Sequence, residues 1–362
     1  MAKQSPKYLV FQPINAGLGN HMSGMMSAFV LSVGIGRVFL HEWNKGSHEC
    51  AASYDDLFVA PFEPWSTLAT KGSGMNGPGE LLGDEPHGKL KEAGGTWEGS
   101  IHLSSPTERK RCYLDLTQKG ARLAPGSLDM VLLEKRGEDP RPDCPILFVS
   151  TNQYLVEVLS NAEYGSAKVG DILVSEWLKA GRAVETLFGG LFRPVAPVRR
   201  QLEVTAARVF EPGVRTLGAH ARAVHLNKGP MRQGFVKCLE RWAHASNVST
   251  VVLASDIPAF VKDTAAKLEP HGITVAAMEG VQRMGEGVKM RDTVAKIRTA
   301  LAEILLVGKA DVVVTSPKSS FSALAAALGG ESTQRVGGMS CKGLINEPEF
   351  HLIDCGMKWE LD

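Results

Sequence analysis

The chain has 362 residues, enough for two domains at about 100–200 residues each. Hydrophobic residues make up 44% and charged residues 22%, which excludes a wholly disordered chain, a collagen-like repeat and a small disulfide-stapled scaffold. Lys and Arg number 40 against 39 Asp and Glu, a net charge of +1, so no broad basic field favours nucleic acid, although a local anion site stays open.

In chain order, the first unit reads as strand, Gly-rich turn, helix, strand. Tyr8 to Phe11 is apolar and β-prone, Gly17-Leu18-Gly19-Asn20 breaks it, and Met22 to Val33 is apolar at helical spacing. Arg37 to Leu40 resumes a strand, which makes a βαβ opening and predicts a parallel sheet covered by helices. The uncharged run Met22 to Gly36 is shorter than the roughly 20 apolar residues of a membrane span. No basic-then-apolar leader precedes it. The expectation is a chain without a membrane span, either cytoplasmic or carrying an anchor outside these residues.

Lys71 to Gly99 is Gly-rich and weakly periodic and reads as a long loop. Ile146 to Val149 signals another strand, followed by a helix-like segment through Tyr154 and Leu159, and Asp171 to Phe188 looks helical. Gly189-Gly190-Leu191-Phe192-Arg193-Pro194 can end that helix and carry a hinge, which puts the domains at 1–190 and 191–340, with a tail at 341–362 packing back on them.

The second half alternates more cleanly. Helices are predicted over Val198–Val209, Phe235–Ala245, Pro258–Leu268, Asp292–Val307 and Ser320–Leu328. Strands are predicted over Thr216–Ala221, Thr250–Ala254, Ile273–Ala277 and Val312–Thr315. That rhythm predicts a second doubly wound domain, and two such domains facing a cleft would suit a small-molecule ligand.

Six cysteines stand at 50, 112, 144, 238, 341 and 355, with no Cys-x-x-Cys pair, so zinc ribbons and thioredoxin chemistry are unsupported. Disulfides are allowed but not demanded by the spacing. One glycosylation sequon, Asn247-Val248-Ser249, is a tripeptide common enough to arise by chance.

Open α/β sheets bind ligands beyond the carboxyl ends of their strands, and three junctions there carry chemistry. At Asn15 to Asn20, Gly17 and Gly19 let a backbone approach a ligand, and the next helix offers its N–H groups. A tight structural turn reads equally well. At Gly218 to His225, Arg222 can grip phosphate and His220 lies two residues earlier on the same face. An ion pair and a satisfied core histidine are the bland readings. At Asp311 to Phe321 a buried strand ends in hydroxyls before a helix, so Ser319 or Ser320 serves as N-cap or helps bind an anion. Glu303, on an otherwise apolar helical face, can accept both N1–H and N2–H of guanine, or sit at a solvated helix edge. There is no Asp-x-Asp metal clamp, no Gly-x-Ser-x-Gly elbow and no His-Glu-x-x-His.

In this order and spacing the junctions resemble the plant-type galactoside α-1,2-fucosyltransferases, the xyloglucan fucosyltransferase family. Ala16 to Met22 looks like that family's Gly-Leu-Gly-Asn-Arg loop with His21 for Arg, and Tyr54 to Phe58 with Pro61-Phe62 looks like its Asp-Leu-Phe-Cys-Glu-Pro-Phe segment with Val59 for Cys. Thr151 to Tyr154 and Leu191 to Pro194 are similar to its Asp-Gln-Tyr and Leu-Phe-x-Pro segments. Leu217 to Arg222 resembles its Val-Gly-x-Gln-x-Arg, with His220 for Gln, which matches the His-x-Arg of the wider fucosyltransferase group. Ala300 to Glu303, Asp311 to Ser316, Ser319 to Phe321 and Glu347 to His351 complete the match, with Glu349 for a second Cys.

The resemblance implies a glycosyltransferase-B fold of two Rossmann-like domains and an N-terminal acceptor side with the loop at 71–99. It implies a GDP-fucose donor, inversion at the anomeric carbon, and neither metal nor other cofactor. The partners would be a nucleotide sugar and a glycan acceptor, with O-2 of a galactoside as the hydroxyl. It suggests Arg222 on the diphosphate, His220 near guanine or phosphate, Glu303 on guanine, and Ser319, Ser320 and Phe321 around the phosphates. Gly17, Gly19 and Asn20 would face the fucose. The base for the acceptor hydroxyl stays open among Asp256, His225 and Glu347. Val59 and Glu349 replace two cysteines at once, read as disulfide partners lost together. The family works in the Golgi lumen, on cell-wall polysaccharide in plants. A transferase of another GDP-sugar and a catalytically silent binder on the same fold are the competing readings.

Overall fold

The structure is a computed structural model describing residues 7–13, 17–43, 52–60, 66–70, 87–92, 100–102, 112–116, 142–151, 168–169, 172–173, 183–221, 229–278, 293–314, 319–328 and 334–336. The chain divides into two compact units, Met1–Arg193 and Pro194–Asp362.

In the first unit, β1 (Tyr8–Phe11) leads through α1 (Leu18–Gly34) to β2 (Val38–His41), which runs parallel to β1. Met22, Met25, Met26 and Val30 recur at helical spacing on α1 and are all buried. A short helix, α2 (Tyr54–Leu57), opens with a capping box between Ser53 and Asp56 and is followed by β3 (Phe58–Val59). The sheet adds β4 (Ser66–Thr70), β5 (His87–Glu92), β6 (Ser100–His102), β7 (Tyr113–Leu116) and β8 (Ile146–Thr151), in the order β6-β5-β4-β2-β1-β8-β7. β4, β1, β8 and β7 run parallel to their neighbours towards the centre, whereas β5 and β6 are antiparallel.

β5 lies inside the stretch read from sequence as a loop. Leu90 is its single large apolar residue, so the strand rests on its backbone ladder with β4 and leaves no alternating pattern to read. Residues 71–86 and 93–99 lie outside the described residues, as do Tyr154–Leu159.

The helical reading of Asp171 to Phe188 is also corrected. Ile172–Leu173 is a strand, β10, antiparallel to β9 (Lys168–Val169). The helix, α3, starts at Ala183 and runs through Gly189 and Gly190 to Leu191. Burial of Leu187, Phe188 and Leu191 carries the helix past the two glycines. β11 is Arg193–Pro194.

A disulfide joins Cys112 and Cys144, with Cα atoms 5.7 Å apart. The two residues stand just before the paired strands β7 and β8 and fasten their amino ends. The reading of Val59 and Glu349 as lost partners cannot be placed, because Glu349 lies outside the described residues, with all of 341–362.

The second unit contains α4 (Ala196–Val209), β12 (Thr216–Ala221), α5 (Gly229–Ala245), β13 (Thr250–Ser255), α6 (Pro258–Leu268) and a 3-10 turn at Glu269–His271. It continues with β14 (Thr274–Ala276), α7 (Val294–Gly308), β15 (Val312–Val314), α8 (Ser320–Leu328) and β16 (Gln334–Val336). All five strands are parallel, in the order β14-β13-β12-β15-β16. Leu217, Ala219 and Ala221 of β12 pack one face against Phe235, Leu239, Val251, Leu253 and Phe260. The Asp311 carboxylate accepts hydrogen bonds from the Thr216 N–H at 2.8 Å and the Thr216 hydroxyl at 3.2 Å, which binds the start of β12 to the start of β15. The exposed sequon residue Asn247 takes a left-handed φ of 51° in the turn before β13, a conformation Asn tolerates. Among the described residues no helix is long and apolar enough to cross a membrane.

Candidate functional site

In the second sheet the chain winds outward from β12 through β13 to β14, then returns to β15 and continues to β16. The strand order therefore reverses between β12 and β15. In an open α/β sheet the crevice beyond the carboxyl ends of the two strands flanking that reversal is where a ligand binds.

His220 stands one residue before the end of β12, and α8 starts shortly after β15. The His220 side chain is buried, its Nδ1 3.0 Å from the Ser322 hydroxyl and 3.3 Å from the Ser319 hydroxyl. Ser319 caps α8, its hydroxyl accepting the Ser322 N–H at 3.3 Å. The Phe321 ring stacks on the imidazole, centroids 4.0 Å apart and planes at 22°. Three of the residues singled out from sequence, His220, Ser319 and Phe321, are thus brought together at the reversal point. Ser322 completes the cluster and was missed. Its signal was its place three residues after the capping Ser319, where a helix brings the next turn's first residue onto the same face.

Glu303 is placed by a glycine. A Cβ on Gly218 would lie 2.5 Å from the Val307 carbonyl oxygen, so α7 rests directly on the backbone of β12 at that point. As the crossover between parallel strands, α7 runs antiparallel to them. Two residues along β12, about 6.6 Å, lead from Gly218 to His220. One turn back along α7, about 6 Å, leads from Val307 to Glu303. Both steps point to the carboxyl edge of the sheet, so Glu303 and His220 occupy the same level. The Glu303 side chain is buried, which removes the reading of a solvated helix edge.

Asp256 follows β13 on the same edge and is partly exposed. The Ser255 hydroxyl beside it donates to the Ala221 carbonyl at 2.9 Å and accepts the Ile257 N–H at 3.2 Å, which fixes the turn. Ser320 opens α8. Arg222, the residue directly after β12, lies outside the described residues, as do His225 and Glu347.

In the first unit the strand order reverses between β1 and β8. Gly17 begins α1 beside that point, its φ of −72° open to any residue. Among the described residues nothing lies within 4 Å of where its Cβ would stand, so packing does not demand glycine there. Gly19 is buried and its carbonyl accepts the Ser23 hydroxyl at 2.7 Å; Asn20 is partly exposed. Packing demands glycine at Gly24, where a Cβ would stand 2.0 Å from the Thr151 carbonyl oxygen.

The same edge holds a buried polar group that sequence reading missed. The Gln12 amide donates to the Glu42 carboxylate at 2.6 Å, and the Ser150 hydroxyl donates to the Gln12 carbonyl at 2.9 Å. His21 meets the Trp43 ring edge-on at 5.2 Å, and the Trp43 indole N–H donates to the Ala52 carbonyl at 3.0 Å. Burial pushes the His41 imidazole down to about 3, so it is neutral at ordinary pH. The Tyr54 hydroxyl donates to the Leu191 carbonyl. Burial, with the Asp55 carboxylate adding to it, raises the Tyr54 hydroxyl above the usual phenol range. The Tyr54-to-Phe58 motif thus has a packing role, with the Tyr54 and Phe58 rings meeting those of Trp43 and Phe192 edge-on or tilted in one aromatic cluster.

No family model matches the chain, and no curated protein matches it. Solved structures do. A point mutant of FUT1 from Arabidopsis thaliana in complex with GDP is 18% identical over 92% of this chain and 71% of that one, with a TM-score of 0.58. The chain has an α/β glycosyltransferase fold. POFUT1 in complex with GDP is 13% identical over 92% of this chain and 98% of that one, at a TM-score of 0.48. Fucosyltransferase NodZ from Bradyrhizobium is 15% identical over 89% and 93%, at 0.43. At 18% identity the likeness to FUT1 shows a shared fold.

Proposed function

We propose that the chain is an inverting glycosyltransferase that moves L-fucose from GDP-fucose to a hydroxyl of a glycan acceptor, O-2 of a galactoside. The observation that carries this reading is the His220–Ser319–Phe321–Ser322 cluster at the reversal point of the second sheet, level with the buried Glu303. It offers what a guanine nucleotide needs: a carboxylate for the two guanine N–H groups, and a helix start with hydroxyls for phosphate. The GDP bound to the structurally similar FUT1 mutant supports the same ligand class here.

In the reaction the acceptor oxygen attacks the anomeric carbon as the bond from that carbon to GDP breaks. GDP leaves with the bonding electrons, and the acceptor proton passes to a base or to water. Charge grows on the diphosphate, and fixed dipoles and a cation stabilise it without a metal. Arg222, directly after β12, is the proposed cation, with the N-terminus of α8 at Ser320 as the dipole. When His220 accepts a serine hydroxyl at Nδ1, its proton sits on Nε2 and can be donated to a phosphate oxygen. Asp256, on the same sheet edge, and His225 are the proposed bases. Gly17, Gly19 and Asn20 are proposed to meet the fucose, and the first unit to bind the acceptor. The Cys112–Cys144 disulfide supports an oxidising compartment, for which the Golgi lumen is proposed.

Thermal shift with GDP, UDP and ADP tests the ligand, because a ligand of the native state raises its melting point. GDP alone should raise it, and no effect of GDP sinks the proposal. Release of fucose from GDP-fucose then separates a transferase from a silent binder, and GDP-mannose as donor checks the sugar.

A further inference from the structure

The second unit carries a set of ligating side chains that the proposed transfer does not use. Glu240 and His244 stand one turn apart on α5, and His271 closes the 3-10 turn after α6. One ligand atom from each lies within 4.8 Å of the other two. His271 Nδ1 is 3.0 Å from a Glu240 carboxylate oxygen, and the His244 and His271 rings meet edge-on with centroids 6.5 Å apart. Glu240 is partly buried, and both histidines are exposed.

We propose that Glu240, His244 and His271 form a binding site for a divalent transition metal of the zinc class. Two imidazole nitrogens and one carboxylate oxygen suit zinc, cobalt or nickel, whereas magnesium and calcium call for oxygen donors. Zinc holds such donors at about 2.0–2.2 Å, which puts them about 3.3 Å apart around a tetrahedral ion. The Glu240–His271 pair is already inside that spacing, and small rotamer changes of the exposed His244 bring in the third. The metal would take the place of the direct Glu240–His271 contact, and water would fill the fourth position.

The location decides the role. α5 leads into the start of β13, and the 3-10 turn leads into the start of β14. β12, β13 and β14 are parallel and in register, Thr216 beside Thr250 and Thr250 beside Thr274. The site therefore lies at the amino edge of the sheet, while His220 lies at its carboxyl edge. A metal there clamps α5 to the turn after α6 and takes no part in transfer. The proposal stands whether or not the chain is a fucosyltransferase.

The test uses the full chain, stripped with chelator and titrated with ZnCl2, CoCl2, MgCl2 or CaCl2. At a hundredfold excess over the dissociation constant, zinc should raise the melting point by about 5–10 °C, and magnesium and calcium should not. Cobalt should give visible absorption bands of a low-coordinate ion. The double variant His244→Ala/His271→Ala should lose both signals. In His271→Cys, a sulfur-to-cobalt charge-transfer band should appear, which identifies that position as a ligand even if stability falls. Absence of a zinc shift and of cobalt bands in the intact chain overturns the proposal, as does their survival in the double variant.

Discussion

His220 is held at its ring edge by two serine hydroxyls at Nδ1 and across one face by Phe321. Such a side chain is positioned in advance of any ligand. His220→Ala should weaken GDP binding about tenfold, the scale of one hydrogen bond of about 1–1.5 kcal/mol. His220→Gln should stay within about threefold of the parent, because its amide can still meet a serine hydroxyl. Calorimetric titration with GDP reads both. Arg222→Ala should instead lower turnover by about 10²–10³-fold, since a cation on the leaving group acts most strongly in the transition state. Parent-like turnover in folded protein would remove Arg222 from the site. His41 makes a prediction about stability. Its native value of about 3 lies below the roughly 6.5 of an unfolded histidine. Between these values the unfolded chain binds a proton that the native chain does not, so stability is full above about pH 6.5 and falls as pH drops. The loss from this one group is about 2 kcal/mol between pH 7 and pH 5. Denaturant titrations at the two pH values should show His41→Gln losing less over that interval than the parent.

At the scale of elements, Gly218 sets the site by letting α7 lie on β12. Gly218→Ala places a methyl group 2.5 Å from the Val307 carbonyl oxygen, and backbone cannot swing aside as a side-chain tip can. The helix must lift, at a cost of about 1–3 kcal/mol, and Glu303 lifts with it. The variant should therefore lose both stability in urea and GDP affinity, whereas an exposed change such as Val204→Ala on α4 should alter neither. The second unit was legible in the sequence because its central strands are buried runs bounded by amphipathic helices. Thr216–Ala221, Pro258–Leu268 and Ser320–Leu328 have the predicted bounds. The first unit was less so. β5 has one large apolar residue, and α3 continues through two glycines because tertiary burial outweighs their helix cost. His220 and Ser319 could be picked out by the rule that strand ends bind ligands. Ser322 needed the further step of reading one turn on from the capping Ser319, and Gly24 and the Gln12–Glu42 pair could not be found, because each depends on a contact between segments distant in sequence.

At the scale of the molecule, each unit has its own sheet and its own buried residues, so each can unfold as a cooperative body. Two perturbations address them separately. The Cys112–Cys144 disulfide closes a loop with a sequence separation of 32 inside the first unit. By loop-closure entropy its loss costs about 3–4 kcal/mol. GDP at a hundredfold excess over its dissociation constant adds about 2.7 kcal/mol to the state that binds it, and the His220 cluster lies in the second unit. Scanning calorimetry should then show two transitions. The double variant Cys112→Ser/Cys144→Ser should lower one of them by about 6–15 °C, and GDP should raise the other. A single transition moved by both perturbations would mean that the units unfold as one body. GDP raising the same transition that the cysteine variant lowers would place the nucleotide on the first unit, and the His220 cluster would lose its assignment.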